Sequence, residues 1–216
     1  MGGAYKFCWS LTGSPVCGDN VIDMSGAYQY SGVTGSPVCG PKVTNMAGAY
    51  AYCHNLTGSP VCGNNVTDMA STYAGCINLT GSPVCGDNVI EMSFAYSKCT
   101  KLTGPAICGP NVTNMNRTYY NCPNLSSNGY FYSDKVTDVF SCFYGKDNSK
   151  RLNLYVPENS TTLNTCLSTS DWASLVGATM IWKNDMSTNG YYYNTDYNIY
   201  IYPVANVEQA YKDNEK

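Results

Sequence analysis

The stretch "NLTGSPVCGNNVTDMASTYAGCI" (residues 55–77) is followed at once by "NLTGSPVCGDNVIEMSFAYSKCT" (78–100). Two such copies in succession mark an internal repeat, and a repeat governs how the rest of the chain is read. Weaker copies extend it on both sides, as "LTGSPVCG" at 11–18, "VTGSPVCG" at 33–40 and "LTGPAICG" at 102–109. Counted from their Ala-Tyr or Thr-Tyr pair, the copies begin at Ala4, Ala27, Ala49, Thr72, Ala95 and Thr118. The step is 23 residues except once, where it is 22, and the deletion falls near Ser31 and Gly32.

Aligned copies form columns. One is Tyr5, Tyr28, Tyr50, Tyr73, Tyr96 and Tyr119, and another is Leu11, Val33, Leu56, Leu79, Leu102 and Leu125. Val16, Val38, Val61, Val84 and Ile107 make a third, Val21 through Val136 a fourth, and Met24 through Met115, ending in Val139, a fifth. A single copy cannot bury its own apolar face, so each column is expected to point inward against its neighbours. Glycines at 13, 35, 58, 81 and 104 stand where the chain must turn. The prolines at 15, 37, 60 and 83 lack an N–H and are expected to keep any strand there short. The "NVTDM" phrase reads as a second extended piece and the "AYxxC" phrase as a tight helical or 3-10 turn. The predicted fold class is a leucine-rich-repeat-like solenoid of short parallel strands over residues 4–141, with a small β-rich α+β capping region at 142–216.

Composition narrows the function classes. Only 12% of the 216 residues are charged and the net charge is −3, which argues against nucleic acid as a partner. No run of about 18 apolar residues occurs, so no membrane insertion is expected. "MGGAYKFCWS" reads as no secretory leader, and the first repeat starts almost at once, so the chain is expected to continue a longer protein.

Ten of the 12 cysteines fall into two columns, Cys8–Cys53–Cys76–Cys99–Cys122 and Cys17–Cys39–Cys62–Cys85–Cys108, with Ser31 filling the gap in the first. No C-x₂-C pair offers a zinc site, and neither metal nor cofactor is expected. Buried free thiols are the favoured reading, with disulfides within or between repeats, and a separate Cys142–Cys166 pair, as the alternatives. Sequons at Asn55, Asn65, Asn78, Asn111, Asn116, Asn124 and Asn159 read as by-products of the repeat. His54 is the sole histidine and takes a slot held elsewhere by Trp9, Ile77, Thr100 and Pro123, so no catalytic residue is assigned and the chain is expected not to be an enzyme.

The order Leu, Val, Val, Met, then Ala-Tyr and Cys-x-x-Leu, as in "AYAYCHNL" (49–56) and "TYAGCINL" (72–79), resembles the BspA-type (Treponema-type) leucine-rich repeat. That family has Ala-Phe where this chain has Ala-Tyr. The resemblance implies display on a bacterial cell surface or phage particle and binding of host or bacterial surface proteins or glycans. Differences between copies gather around the Cys and after the Met. They yield a candidate ligand-binding stripe of Lys6, Phe7, Trp9, Tyr30, Tyr52, His54, Lys98, Lys101 and Tyr120, joined by Phe94 and Arg117. Adhesion or receptor recognition is the expected function. The alternative is a structural spacer or self-assembling element of a surface or tail fibre.

Beyond Ser141 the period is expected to fail. "RLNLYVP" (151–157), "ATMIWKND" (178–185) and "YNIYIYPV" (197–204) read as strands. Ser160 is placed to cap a short helix ending at Leu167, Asn189-Gly190 to make a turn, and "NVEQAYKDNEK" to form a short polar helix. Tyr191 to Tyr193 with Tyr197, Tyr200 and Tyr202 offer a sugar-stacking alternative to the capping role.

Overall fold

The computed structural model describes residues 1–167, 175–176, 182–186 and 190–215. Its regular elements are β1 (Ala106–Cys108), β2 (Asn128–Phe131), β3 (Leu152–Pro157), α1 (Thr161–Leu167), β4 (Lys183–Asn184), β5 (Tyr192–Asn194), β6 (Ile199–Val204) and α2 (Val207–Asn214). The strands form one mixed sheet of order β1-β2-β3-β6-β5-β4. The first four run parallel, and β6-β5-β4 are antiparallel.

This corrects the predicted fold class. The leucine-rich-repeat-like solenoid of strands and helical turns gives way to a small α/β fold, one six-stranded sheet with two short helices. No helical turn recurs in the repeats. In the expected helical segment, Ala49, Ala51 and Cys53 instead donate to Met46, Gly48 and Tyr50, each closing a β-turn. The N–H groups between them, of Gly48, Tyr50 and Tyr52, donate to Ala70, Thr72 and Ala74 of the next copy. The first four copies hold isolated bridges in place of strands, such as Asn45 to Asp68 and Asp68 to Glu91.

Proline accounts for where the strands begin. Pro15, Pro37, Pro60 and Pro83 remove the N–H a ladder would use, and no strand forms there. The fifth copy has Ala106 at that position and the sixth has Gly129, and these two copies supply β1 and β2. The Val16 column does not point inward as expected. Val16 is exposed and Val38, Val61 and Val84 are half-buried, while the preceding prolines are buried in their place.

The remaining columns form the core. Met24, Met46, Met69, Met92 and Met115 are buried, as are Val43, Val66, Val89, Val112 and Val136. Tyr28, Tyr50, Tyr73, Tyr96 and Tyr119 stack ring on ring at 5.6–5.7 Å. Their hydroxyls donate to the carbonyls of Val16, Val38, Val61, Val84 and Ile107 at 2.7 Å and accept from the same residues' N–H groups. The stack continues past Ser141, because Phe143 lies 5.8 Å from Tyr119 and nearly parallel to it.

Every described cysteine is a free thiol, Cys142 and Cys166 included. Cys53, Cys76, Cys99 and Cys122 donate to the carbonyls of Tyr28, Tyr50, Tyr73 and Tyr96 at 2.9–3.0 Å, tying each copy to the one before. Sequon asparagines do similar work: the Asn65, Asn78, Asn111 and Asn124 amides donate to carbonyls of the preceding copy. The Asp or Asn before the Met accepts from the N–H two residues on, as Asp68 does from Ala70, which fixes an Asx turn.

The 22-residue step closes tightly. Ser31 takes the cysteine's place, its hydroxyl 3.5 Å from Cys53 Sγ. Gly32 then runs so close that a Cβ would lie 2.3 Å from the Trp9 carbonyl oxygen and 2.7 Å from that of Leu11. Gly32→Ala must therefore displace backbone and is expected to cost about 1–3 kcal/mol. Hydrogen exchange checks this: the loss is expected to concentrate in the first copy, whose Trp9 and Leu11 carbonyls the new Cβ would displace.

In the C-terminal half, Leu154, Val156, Ile199 and Ile201 bury one sheet face, against which Leu163 and Cys166 of α1 pack. Ser160 caps α1 as read from sequence, accepting from the Leu163 N–H at 3.0 Å. Across the other face, α2 sets Tyr211 edge-on to Tyr130 at 5.0 Å. Of the expected strand 178–185, residues 182–185 are described, and Lys183–Asn184 of these form β4. Residues 178–181 and Asn189 lie outside the described residues. No described helix is long and apolar enough to cross a membrane.

Candidate recognition surface

The turn segment alternates in backbone hand, and this positions the candidate residues. Two columns adopt the left-handed conformation. One holds Phe7, Tyr30, Tyr52, Gly75, Lys98, Asn121 and Gly145, with φ between 55° and 76°. The other holds Gly3, Gly26, Gly48, Ser71, Phe94, Arg117 and Ser141, with φ between 51° and 63°. Glycine occupies such a backbone without steric cost, whereas other residues lose roughly 1–2 kcal/mol each. Six of the eleven candidates, namely Phe7, Tyr30, Tyr52, Phe94, Lys98 and Arg117, sit at these positions.

The first column forms an aromatic ladder. Phe7 stacks on Tyr30 at 5.3 Å, and Tyr30 on Tyr52 at 4.6 Å with the rings parallel. Trp9, 62% exposed, leans on Tyr30 at 5.5 Å. The exposed His54 meets the Tyr52 ring edge-on at 6.3 Å. Lys6 holds its ammonium 5.2 Å from the Phe7 ring centre. Aromatic pairs of this kind are worth about 0.5–1.5 kcal/mol, which offsets part of the backbone cost.

The ladder stops at Gly75. Tyr52 lies over it so closely that a Cβ there would sit 2.6 Å from the ring. A groove of about 250 Å³ opens beside this gap, lined by Tyr52, Phe94, Ser97, Lys98, Arg117 and Tyr120. The Arg117 guanidinium is held between two phenyl rings, 5.4 Å from Phe94 and 5.2 Å from Phe140. Tyr120 stacks on Tyr144 at 4.8 Å.

The structure therefore gathers the candidates into two adjoining groups, with Lys101 apart from both. The Lys101 ammonium donates to Asn78 Oδ1 at 2.7 Å and belongs with the asparagine column. Sequence reading missed Phe140, Tyr144 and the gap at Gly75. The signal was present: "FSCFYG" (140–145) repeats the turn segment after a step of 24, one residue longer than the period followed. Among the described residues, no group of three His, Cys, Asp or Glu side chains is placed to hold a metal ion.

No family model matches the chain, and neither a curated protein nor a solved structure is similar to it.

Proposed function

We propose that this protein is a non-enzymatic recognition protein, acting outside the cell on a bacterial surface or a phage tail, as the resemblance to BspA-type repeats implies. The observation that carries the reading is the content of the left-handed columns. A position that glycine fills at no cost holds Phe7, Tyr30, Tyr52 and Lys98 instead, and the side chains so retained stand half-buried or exposed on one stripe. Strained backbone that a cheaper residue would relieve is a mark of sites kept for function. Flat exposed aromatics beside cations are also the residue types that anchor binding surfaces.

The test is the combined variant Phe7→Gly, Tyr30→Gly and Tyr52→Gly. Relief of backbone strain offsets the lost stacking, so the unfolding free energy from urea denaturation is expected to stay within about 1 kcal/mol of the parent. Binding of the labelled protein to bacterial cells, host cells or a glycan panel is expected to fall at least tenfold. A variant that folds and binds like the parent would remove the stripe from the function and leave the spacer reading in its place.

A further inference from the structure

The two halves of the stripe differ in chemistry. From Phe7 to His54 it is aromatic, whereas past Gly75 it is cationic, with Lys98 and Arg117 on one groove. Ion pairs among the described residues join Lys150 to Asp147 and Lys212 to Glu208, and neither groove cation takes part in one. The acidic side chains flanking this region are already occupied. Glu91 accepts from the Ser93 N–H and the Asn114 amide, and Asp138 from the Phe140 N–H and the Asn116 amide.

Arg117 is also set in advance. Its guanidinium lies between Phe94 and Phe140, which fixes the side chain without using its five N–H donors. Among the described residues, no hydrogen bond ties those donors. A guanidinium held by ring faces is ready to bind a carboxylate through two parallel hydrogen bonds. Lys98 adds a second positive charge, and the Tyr52 and Tyr120 rings add flat walls.

Backbone accounting narrows the class of ligand. A peptide would add by pairing with free backbone groups, but the groove has few to give. The N–H groups of Tyr52, Gly75, Lys98 and Asn121 already donate to Ala74, Ser97, Tyr120 and Tyr144 of the next copy. Recognition here runs chiefly through side chains. A sugar ring offers an apolar face to an aromatic wall and, if acidic, a carboxylate to a guanidinium.

We propose that this groove binds an acidic saccharide, with Arg117 and Lys98 taking the carboxylate and Tyr52 the ring. This inference rests on the recognition reading above and names the ligand class for one part of that stripe.

The test sets the parent chain against uronic-acid and sialylated oligosaccharides, their neutral counterparts, and poly-L-glutamate. Arg117→Asn and Lys98→Asn are the variants, because asparagine tolerates the left-handed backbone. Two separate substitutions keep the test alive if either one misfolds, and Lys101→Gln, away from the groove, is the control. Retention of acidic oligosaccharides over neutral ones is expected. Each groove variant is expected to weaken acidic binding at least tenfold, with neutral binding and the Lys101→Gln variant unchanged. Equal acidic binding by parent and both folded groove variants would overturn the inference. So would poly-L-glutamate binding as tightly as the uronates with the same Arg117 dependence. Binding of neutral glycans alone, lost in the Phe7, Tyr30 and Tyr52 variant, would overturn this inference and leave the recognition reading intact. Binding to none of the panel and to no cell would overturn both.

Discussion

Raising the pH from 7 to about 10 is expected to destabilise the protein steeply. Burial pushes the Cys62 thiol up to about 11 and the thiols of Cys85, Cys122 and Cys166 to about 12. An unfolded thiol titrates near roughly 8.5. Between those values the unfolded chain has released its proton and the native chain still holds it. The native state then binds more protons, and stability falls as pH rises. The thiol contribution is fully present below about 8.5 and is lost as pH climbs toward 11–12.

Each such thiol costs about 1.4 kcal/mol per pH unit, so Cys85, Cys122 and Cys166 together cost about 4 kcal/mol per unit, or about 6 kcal/mol by pH 10. Ordinary domains have only about 5–15 kcal/mol in total. Cys76, Cys99, Cys108 and Cys142 act in the same direction, again chiefly through burial. One group opposes them. Burial lowers Lys146 to about 8, so its share of stability rises with pH from there toward the unfolded value. A single ammonium does not offset so many thiols. Urea midpoints at pH 7, 8.5 and 10 check this, and an unchanged midpoint at pH 10 would mean the thiols are not buried in the native protein. Thiol labelling at pH 7.5 gives a second reading, with exposed Cys8 expected to react fast and Cys53, Cys76 and Cys99 only on unfolding.

How far the fold could be read from the sequence depended on which atoms set each element. Column by column, the period of 23 located the methionines, the second valine column and the tyrosines in the core, because apolar side chains that recur at one spacing must share one interior. Strands failed for a different reason. The phrase "GSPVCG" looks extended, but a strand needs both a suitable φ and a free N–H, and the prolines remove the second. Only the copies with Ala106 and Gly129 at that place became strands, and the sequence carried that difference in two letters. Val16 and its column depart from the inward expectation through side-chain alternation: once proline faces in, its neighbour faces out. Backbone hand was the least legible property. Nothing in "AYKF" or "AYAY" marks Phe7 or Tyr52 as left-handed, since the local residues do not favour it. The turn-to-turn hydrogen bonds between copies impose it, and only Gly75, Gly145 and Asn121 in the same column hint at it. Raggedness between copies still led to the stripe, because positions facing solvent are free to differ.

Tyr73→Phe and Tyr96→Phe are each expected to cost about 1–3 kcal/mol, although each removes a single oxygen. The hydroxyl has two partners. Tyr73 donates to the Val61 carbonyl at 2.7 Å and accepts from the Val61 N–H at 3.1 Å, and Tyr96 treats Val84 alike. No neighbouring strand pairs with Val61 or Val84, and the hydroxyl takes the place of the absent ladder partner. Ile107 shows the same logic at the sheet edge: β1 pairs with β2 on one side, and Tyr119 completes Ile107 on the other. An edge closed in this way offers no template for another chain. The chain itself supplies the counter-example. Phe143 occupies the tyrosine column without a hydroxyl, and the residue twelve positions before it, Phe131, lies in β2 within the sheet. Phe143→Tyr is accordingly expected to destabilise, by adding a hydroxyl to a buried position that Phe143 fills without one. The two adjacent losses at Tyr73 and Tyr96 share a stack and need not add. Tyr5, exposed and without such a bond among the described residues, serves as the control, and Tyr5→Phe is expected to change nothing measurable. Urea denaturation of the set decides the matter. A Tyr73→Phe protein as stable as the parent would mean that water reaches Val61 freely, and that tyrosine is in the column for its ring alone.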